Sequence, residues 1–239
     1  QSMSFDFQLI YESWPLFVKG IAVTIFISLI SISVSFFIGV AVALMRLTEK
    51  RIPVLIAVSY IELIRNTPFL IQVYIAFFVL PAVGIRMEAM TAGIVCLAVY
   101  GGAYFAENIR GAILAIPRGQ EEAAKALGLS YWKIQRKVIF PQMLGYLIPT
   151  TTNLTLSLIK DTAILSVITV PELTYMAQVM IGEAFAPVEG FTVIALMYWG
   201  LNSIVAAAAR KWEYHSCRHL RVNADSSEKV VVAVLPETR

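Results

Sequence analysis

Four ionisable side chains, Glu62, Arg65, Glu107 and Asp161, lie inside or at the edges of otherwise apolar runs. A charge held within a bilayer is costly, so such residues face a water-filled cavity or pair with one another. Glu62 and Arg65 stand one helical turn apart and can pair at i,i+3, as can Glu107 and Arg110. Asp161 follows Lys160, where it can form a local ion pair or cap, or face the ammonium or basic side chain of a solute. Uncharged polar groups accompany them. Asn66, Thr67 and Asn153 suit hydrogen bonds to a polar solute from discontinuous backbone near the midplane, or bonds between helices. Tyr100-Gly101-Gly102 allows close backbone approach, either to a neighbouring helix or to a ligand carboxylate. This is chemistry for binding rather than for breaking bonds. The chain has no H-E-x-x-H, no G-x-S-x-G and no histidine inside an apolar run, which argues against a membrane-embedded enzyme.

A second constellation is cytoplasmic in character. Glu122-Ala123-Ala124, then Gly128, then Val138-Ile139-Phe140-Pro141 form a compact polar segment between long apolar blocks. A helix that docks in a groove of another protein needs small side chains where backbones approach, a hinge, and a firm junction with the membrane. Ala123 and Ala124 supply the first, Gly128 the second and Pro141 the third. Glu122, near its helix start, suits the positive end of the macrodipole and can accept a bond from a basic group on a partner. Glu121 and Leu127 flank this set and belong to the same candidate surface.

The elements that must position these residues follow from composition. Of 239 residues, 58% are hydrophobic and 15% charged, against about 25% charged in an average soluble domain. Charge-free runs at 21–45, 66–85, 89–106, 138–159 and 190–209 each approach the length of about 20 residues that a helix needs to span a bilayer. No alternating pattern of barrel strands is present. The expectation is an all-α integral membrane protein of about five transmembrane helices: from Pro15 to about Leu47, Pro53 to Leu80, Ala89 to Leu114, Pro141 to Lys160 and Pro187 to Ala209. Asn66-Thr67-Pro68 loosens the second. Pro117 and Gly119 break the third. A re-entrant or interfacial stretch covers 161–182. Basic residues cluster at 46–51, 110–137 and beyond Arg210, which places the N-terminus outside and the C-terminus in the cytoplasm. Residues 1–14 read as an extracytoplasmic segment without the basic start of a signal peptide, 15–210 as the membrane domain with its cytoplasmic loop at about 117–141, and 211–239 as a cytoplasmic tail.

The spacing Glu-Ala-Ala, three residues, Gly, nine residues, aliphatic, one residue, large apolar, Pro resembles the EAA loop of permease subunits in ABC-type importers. This chain carries Val138 and Phe140 in place of the commoner Ile and Leu. Arg65-Asn66-Thr67-Pro68, Ala106-Glu107-Asn108-Ile109-Arg110-Gly111, Ile116-Pro117-Arg118-Gly119-Gln120 and Lys160-Asp161-Thr162 are similar to strings of the polar amino-acid branch, the histidine/glutamine/arginine-type permeases. The resemblance covers about Pro15 to Arg210. It implies a type I importer fold in the bacterial inner membrane, with the short helix around Glu122 to Leu127 seated in a cytoplasmic ABC ATPase dimer. It also implies a second permease subunit, identical or homologous, and an extracytoplasmic amino-acid-binding protein. The chain has no G-x-x-x-x-G-K-[ST] loop, so ATP would sit on the partner and this chain would bind no cofactor or metal of its own.

Two rival readings remain within transport: an importer permease for another small polar solute, and a passive or secondary transporter. Ion coupling would ask for more mid-membrane charge than Glu62, Arg65, Glu107 and Asp161 provide. His215, Cys217 and His219 have the spacing of metal ligands, but Arg210, Lys211, Arg218 and Arg221 around them read more simply as anchors to anionic membrane lipid. Nothing points to a nucleic-acid partner.

Overall fold

Helix α1 (Phe7–Glu12) opens a chain whose computed structural model describes residues 5–216. All regular elements among the described residues are helical. The Asp6 carboxylate starts α1 by accepting the backbone N–H groups of Gln8 and Leu9 at 2.9 and 3.0 Å, two donors that a helix start leaves unpaired.

Helix α2 (Trp14–Arg46) has proline in its first turn and runs 33 residues, about 50 Å and longer than the hydrocarbon core is thick. Its buried residues, Phe17, Gly20, Thr24, Ile27, Ser28, Ser31, Ser35, Gly39 and Ala43, form a stripe at helical spacing and are mostly small. This stripe packs in parallel along α5 (Ala89–Leu114). The Ser31 hydroxyl donates to the Ile94 carbonyl at 3.2 Å, and the Ser35 hydroxyl to Ala98 at 3.0 Å. Gly39 lies against Phe105 and Ala106, where a Cβ would meet the Ala106 nitrogen at 3.0 Å. In lipid, helices associate through such close contacts, because the surrounding tails are as apolar as the side chains.

The second apolar block is not one straight span. Helix α3 (Arg51–Arg65) turns through 103° at Asn66–Pro68 into α4 (Phe69–Tyr74). A π turn (Ile75–Val79) and a 3-10 turn (Leu80–Val83) complete the segment. Pro68 explains the bend, since it disfavours helical backbone in the residue before it. α3 therefore crosses α5, with the Tyr60 hydroxyl donating to the Val99 carbonyl, while α4 runs back along α5 with Phe69 stacked on Tyr100 at 4.7 Å.

Helix α6 (Arg118–Ala126) follows α5 after Pro117. Gly119 lies inside α6 rather than breaking α5 as the sequence reading expected, and the break falls at 115–117. Helix α7 (Tyr131–Ile134), a π turn (Gln135–Ile139) and α8 (Phe140–Asp161) then form one continuous helical path. Both π turns end two residues ahead of a proline, Pro81 and Pro141. Proline lacks an N–H and crowds the carbonyl four residues back, and slipping the ladder by one residue accommodates that. Inside α8, Pro149 has no N–H for the Gly145 carbonyl four residues back, and the Thr150 and Thr151 hydroxyls donate to the Tyr146 and Leu147 carbonyls in the same turn.

A 3-10 stretch (Thr162–Ile168) and a left-handed Thr169 lead to α9 (Leu173–Ala184), bent 46° from the path before it. Glu172, with no exposed surface, caps α9 by accepting from the Thr174 and Tyr175 backbones at 2.9 and 2.7 Å, and takes a third bond from the Tyr198 hydroxyl at 2.7 Å. Tyr198 belongs to α10 (Pro187–Ser216), which continues past the expected end near Ala209.

The seam between α2 and α5 yields a stability prediction. Gly39→Val should destabilise the purified chain by about 1–3 kcal/mol, the usual cost of overpacking. Gly200→Ala in α10, where a Cβ meets nothing within 4 Å, should be neutral or slightly stabilising. Thermal unfolding in detergent compares the two.

Candidate functional site

The cytoplasmic elbow is built by α6 and the turn that follows it. Gly128 has φ +73°, in the left-handed region that favours glycine. Its N–H donates to the Lys125 carbonyl at 2.9 Å, and the Leu129 N–H to Ala124 at 3.2 Å. Those two bonds satisfy carbonyls that a helix end would otherwise leave open and set the angle between α6 and α7. Ser130 stands at the N-cap of α7, although its side chain makes no capping bond. Pro141 lies in the first turn of α8. The Gln142 amide reaches Gln120 at 3.3 Å, tying the start of α6 to the start of α8.

The two alanines of this elbow play different parts. Ala124 is 4% exposed and packs inside its own chain, while Glu122, Ala123 and Gly128 are exposed and Leu127 is 80% exposed. The expectation that both alanines present small faces to a partner is therefore corrected. Ala124 is small because the chain's own helices close on it, and the outward surface is Glu122, Ala123 and Leu127. Glu121 is turned back along the helix to Lys125 at 2.7 Å, and its carboxylate holds the Lys125 ammonium above its usual range.

Deeper in the bundle, Glu107 gathers three arginines. Arg46 at the end of α2 bonds its Oε1; Arg110, one turn on, bonds Oε2 at 2.8 Å; and Arg65 at the end of α3 lies 3.8 Å from Oε2. The anticipated Glu62–Arg65 pair does not form. Glu62 instead accepts from the Asn66 amide at 2.8 Å, while Arg65 lies over the Tyr104 ring at 5.2 Å and turns to Glu107. Both residues stand on the same helix ahead of the bend, and Arg65 is drawn off by a carboxylate and a ring on α5, partners that an i,i+3 argument within one helix does not foresee. Glu62, Arg65, Asn66 and Tyr104 line a cleft of about 200 Å³ at the end of α3.

The remaining path candidates separate by face. Tyr100 and Tyr104 stack at 4.9 Å on one side of α5, in line with Glu107 and Asn108. Asn108 donates to the Thr150 carbonyl of α8 at 3.3 Å. Gly101 and Gly102 are buried against other helices. A Cβ at Gly101 would meet Leu158 at 2.9 Å, and one at Gly102 would meet Ile38 at 2.6 Å and the Tyr60 hydroxyl at 2.9 Å. Their backbone approach is thus to α2, α3 and α8 rather than into an open cavity. Thr67 is engaged locally, accepting from Gln72 at 2.8 Å and donating to the Leu63 carbonyl at 2.8 Å. Asn153 is exposed on α8. Asp161, half-buried at the end of α8, is within electrostatic reach of Tyr100 and makes no ion pair with Lys160; its carboxylate has no hydrogen-bond partner among the described residues.

Asn153 belongs to a stripe that the sequence reading missed. Tyr146, Thr150, Asn153, Ser157 and Lys160 are all exposed and recur at steps of four and three along α8. A polar stripe on a membrane helix faces a water-filled cavity or another protein, not lipid. Its spacing was available in the sequence, since it is one face at period 3.6. Arg46 and Tyr104 were also missed as members of the Glu107 site, and no local signal links Arg46 to a partner 61 positions away. No group of three or more His, Cys, Asp or Glu among the described residues could hold a metal; Cys217, His219 and Arg221 lie outside those residues.

Removing Glu107 leaves three arginines facing one another. Glu107→Gln should therefore cost on the order of 1–2 kcal/mol, less than the loss of a fully buried pair because all four side chains keep part of their surface in solvent. Glu62→Gln, which alters one exposed bond to Asn66, should cost less than about 1 kcal/mol. Chemical or thermal unfolding of the two variants measures the difference.

Comparison with known proteins agrees with this geometry. Residues 35–212 match the family described as binding-protein-dependent transport system inner membrane component. The chain is 37% identical over 202 residues to the probable amino-acid ABC transporter permease protein YckA of Bacillus subtilis (strain 168), covering 84% of this chain and 89% of that protein. It is 38% identical over 201 residues to the probable glutamine ABC transporter permease protein GlnP of the same organism, covering 81% and 90%. A crystal structure of an amino acid ABC transporter with histidines superposes with a TM-score of 0.84 at 32% identity, over 89% of this chain and all of that one. By this match over most of its length, the chain belongs to the family of binding-protein-dependent transport system inner membrane components.

Proposed function

We propose that this chain is the membrane-spanning subunit of an ATP-driven importer of polar amino acids, working with a separate cytoplasmic ABC ATPase dimer, a second permease subunit and an extracytoplasmic binding protein. The observation that carries the reading is the exposed polar stripe of α8, Tyr146, Thr150, Asn153, Ser157 and Lys160, ending beside Asp161. A second permease subunit facing this stripe would enclose a polar cavity between the two chains, bounded here by Tyr100 and Tyr104. Relatives named as amino-acid and glutamine permeases support the substrate class.

Each group has a part in this reading. The Asp161 carboxylate, without a partner among the described residues, receives the ammonium of the amino acid in a site where a charge-assisted bond is strong. Asn153 and the Tyr100 hydroxyl offer neutral hydrogen bonds. Glu107 is occupied by its arginines and holds the C-terminal ends of α2 and α3 against α5. At the cytoplasmic end, Glu122, Ala123 and Leu127 enter a cleft of the ATPase. Movement of that cleft passes through Gly128 and the continuous α7–α8 path to the stripe on α8. The chain itself binds no cofactor, and ATP is held by the partner.

Amino-acid-stimulated ATP hydrolysis tests this in vesicles containing the full chain, its motor and its binding protein. Glu122→Arg and Gly128→Val, the latter forcing a β-branched residue into left-handed backbone at about 1–2 kcal/mol, should abolish stimulation. Asp161→Asn should raise the amino-acid concentration needed for half-maximal uptake about tenfold, as for loss of one charged hydrogen bond. Unchanged stimulation in the elbow variants would remove the coupling role. Unchanged concentration dependence in Asp161→Asn would remove Asp161 from the site.

A further inference from the structure

A groove of about 670 Å³ opens where α2 and α5 end and the α7–α8 path begins. It lies apart from the polar stripe of α8 and from the outward residues of α6. Its floor is apolar: Leu44, Ile113, Ile139, Phe140 and Met143. Its rim is Tyr131, Trp132, Gln135 and Arg136, and no acidic residue lines it. Trp132 is 79% exposed, Tyr131 60% and Leu44 61%, so none of the described residues covers the groove.

The order of residues along one helical face is informative. Trp132, Arg136, Phe140 and Met143 follow one another at steps of four, four and three, passing from aromatic and cationic to apolar. This gradient runs from the cytoplasmic boundary into the bilayer, because the basic residues at 46–51 and 118–137 place these helix ends on the inner face. Arg136 makes no ion pair among the described residues. Lys133 and Lys137 stand exposed beside it. An occupant that matches the groove therefore carries negative charge at one end, within reach of Arg136, and long apolar groups at the other.

We infer that this groove is a binding site for an anionic phospholipid of the inner leaflet. Its phosphate would meet Arg136 between the Trp132 and Tyr131 rings, and its acyl chains would lie along Leu44, Ile113, Phe140 and Met143. Basic pockets between helices on the cytoplasmic side recognise anionic headgroups in this way, and tryptophan and tyrosine favour the level of the headgroups. The bound lipid would seal the junction between the inner ends of α2 and α5 and the root of α8, the helix that carries the polar stripe. The site stands on the groove and its charge, independently of which solute the chain transports.

Native mass spectrometry of the full chain, purified in its complex and incubated with phosphatidylglycerol or phosphatidylcholine, tests the inference. The wild type should retain phosphatidylglycerol in preference to phosphatidylcholine. Arg136→Gln should lower that retention about fivefold, the expected effect of one basic residue at a membrane surface. Trp132→Ala should lower it further when combined with Arg136→Gln, and Arg136→Lys should largely restore it. Arg86→Gln, an exposed basic residue ahead of α5 and outside the groove, should leave retention unchanged. Equal retention by the wild type and Arg136→Gln would overturn the proposal. Loss of the co-purifying ATPase from Arg136→Gln with lipid retention unchanged would also overturn it, assigning the groove to the motor. Size-exclusion profiles matching the wild type confine the comparison to folded variants.

Discussion

The close approach of α2 and α5 is the constraint on which the rest of the bundle depends. Lipid removes the drive that brings apolar faces together in water, so helices associate through tight packing and hydrogen bonds. Ser31, Ser35 and Gly39 on α2 and Gly101 and Gly102 on α5 provide both, since they are small enough for near backbone contact and two of them donate across the seam. Once that pair is fixed, Gly102 also admits Tyr60 of α3 and Gly101 admits Leu158 of α8. Four of the long helices thus meet around two adjacent glycines. α9 and α10 are joined separately through Glu172 and Tyr198, whose buried network also approaches Thr162 after α8.

Charge is used differently at the two depths of the molecule. The C-terminal ends of α2 and α3 each deliver an arginine to Glu107 of α5, which also pairs with Arg110 on its own helix, so three helices are registered by a single group. A buried ion pair adds little net stability, but one that joins three elements specifies their arrangement. Asp161 is the opposite case, a carboxylate that the described protein leaves without a partner at the end of the polar stripe. That contrast separates the two acidic candidates. Glu107 is satisfied by the fold, whereas Asp161 retains its capacity to bind.

The elbow joins these regions to the outward surface of α6. Gly128 ends α6 with the two bonds of a left-handed cap, Gln142 ties its start to α8, and α7 continues into α8 without a break. A displacement of α6 is thereby carried into the helix that bears Asn153 and Asp161. In the proposed importer this is the mechanical route from the motor to the cavity, and the groove beside Arg136 lies at its root.

Much of this molecule was legible in the sequence. Charge-free runs located the apolar helical segments, three of them long single helices and two of them bent pairs, because apolar length is a local property of the chain. The elbow was legible for a related reason: Gly128 and Pro141 impose their backbone geometry on their own neighbours. Tertiary structure alone decided which chemistry each group was free to perform. Glu62 and Arg65 are one turn apart on α3, but the packing of α3 across α5 offers Arg65 the Glu107 carboxylate and the Tyr104 ring, while Glu62 keeps the local Asn66 amide. Ala123 and Ala124 are identical and adjacent, yet a 100° step around the helix exposes one and buries the other. Arg46 reaches Glu107 across 61 positions, and Tyr100 and Gly101 are neighbours in sequence that turn to different faces of α5. Propensity and local spacing determine elements, whereas the faces those elements turn toward one another, and hence the partners of each polar group, are fixed only when the helices pack.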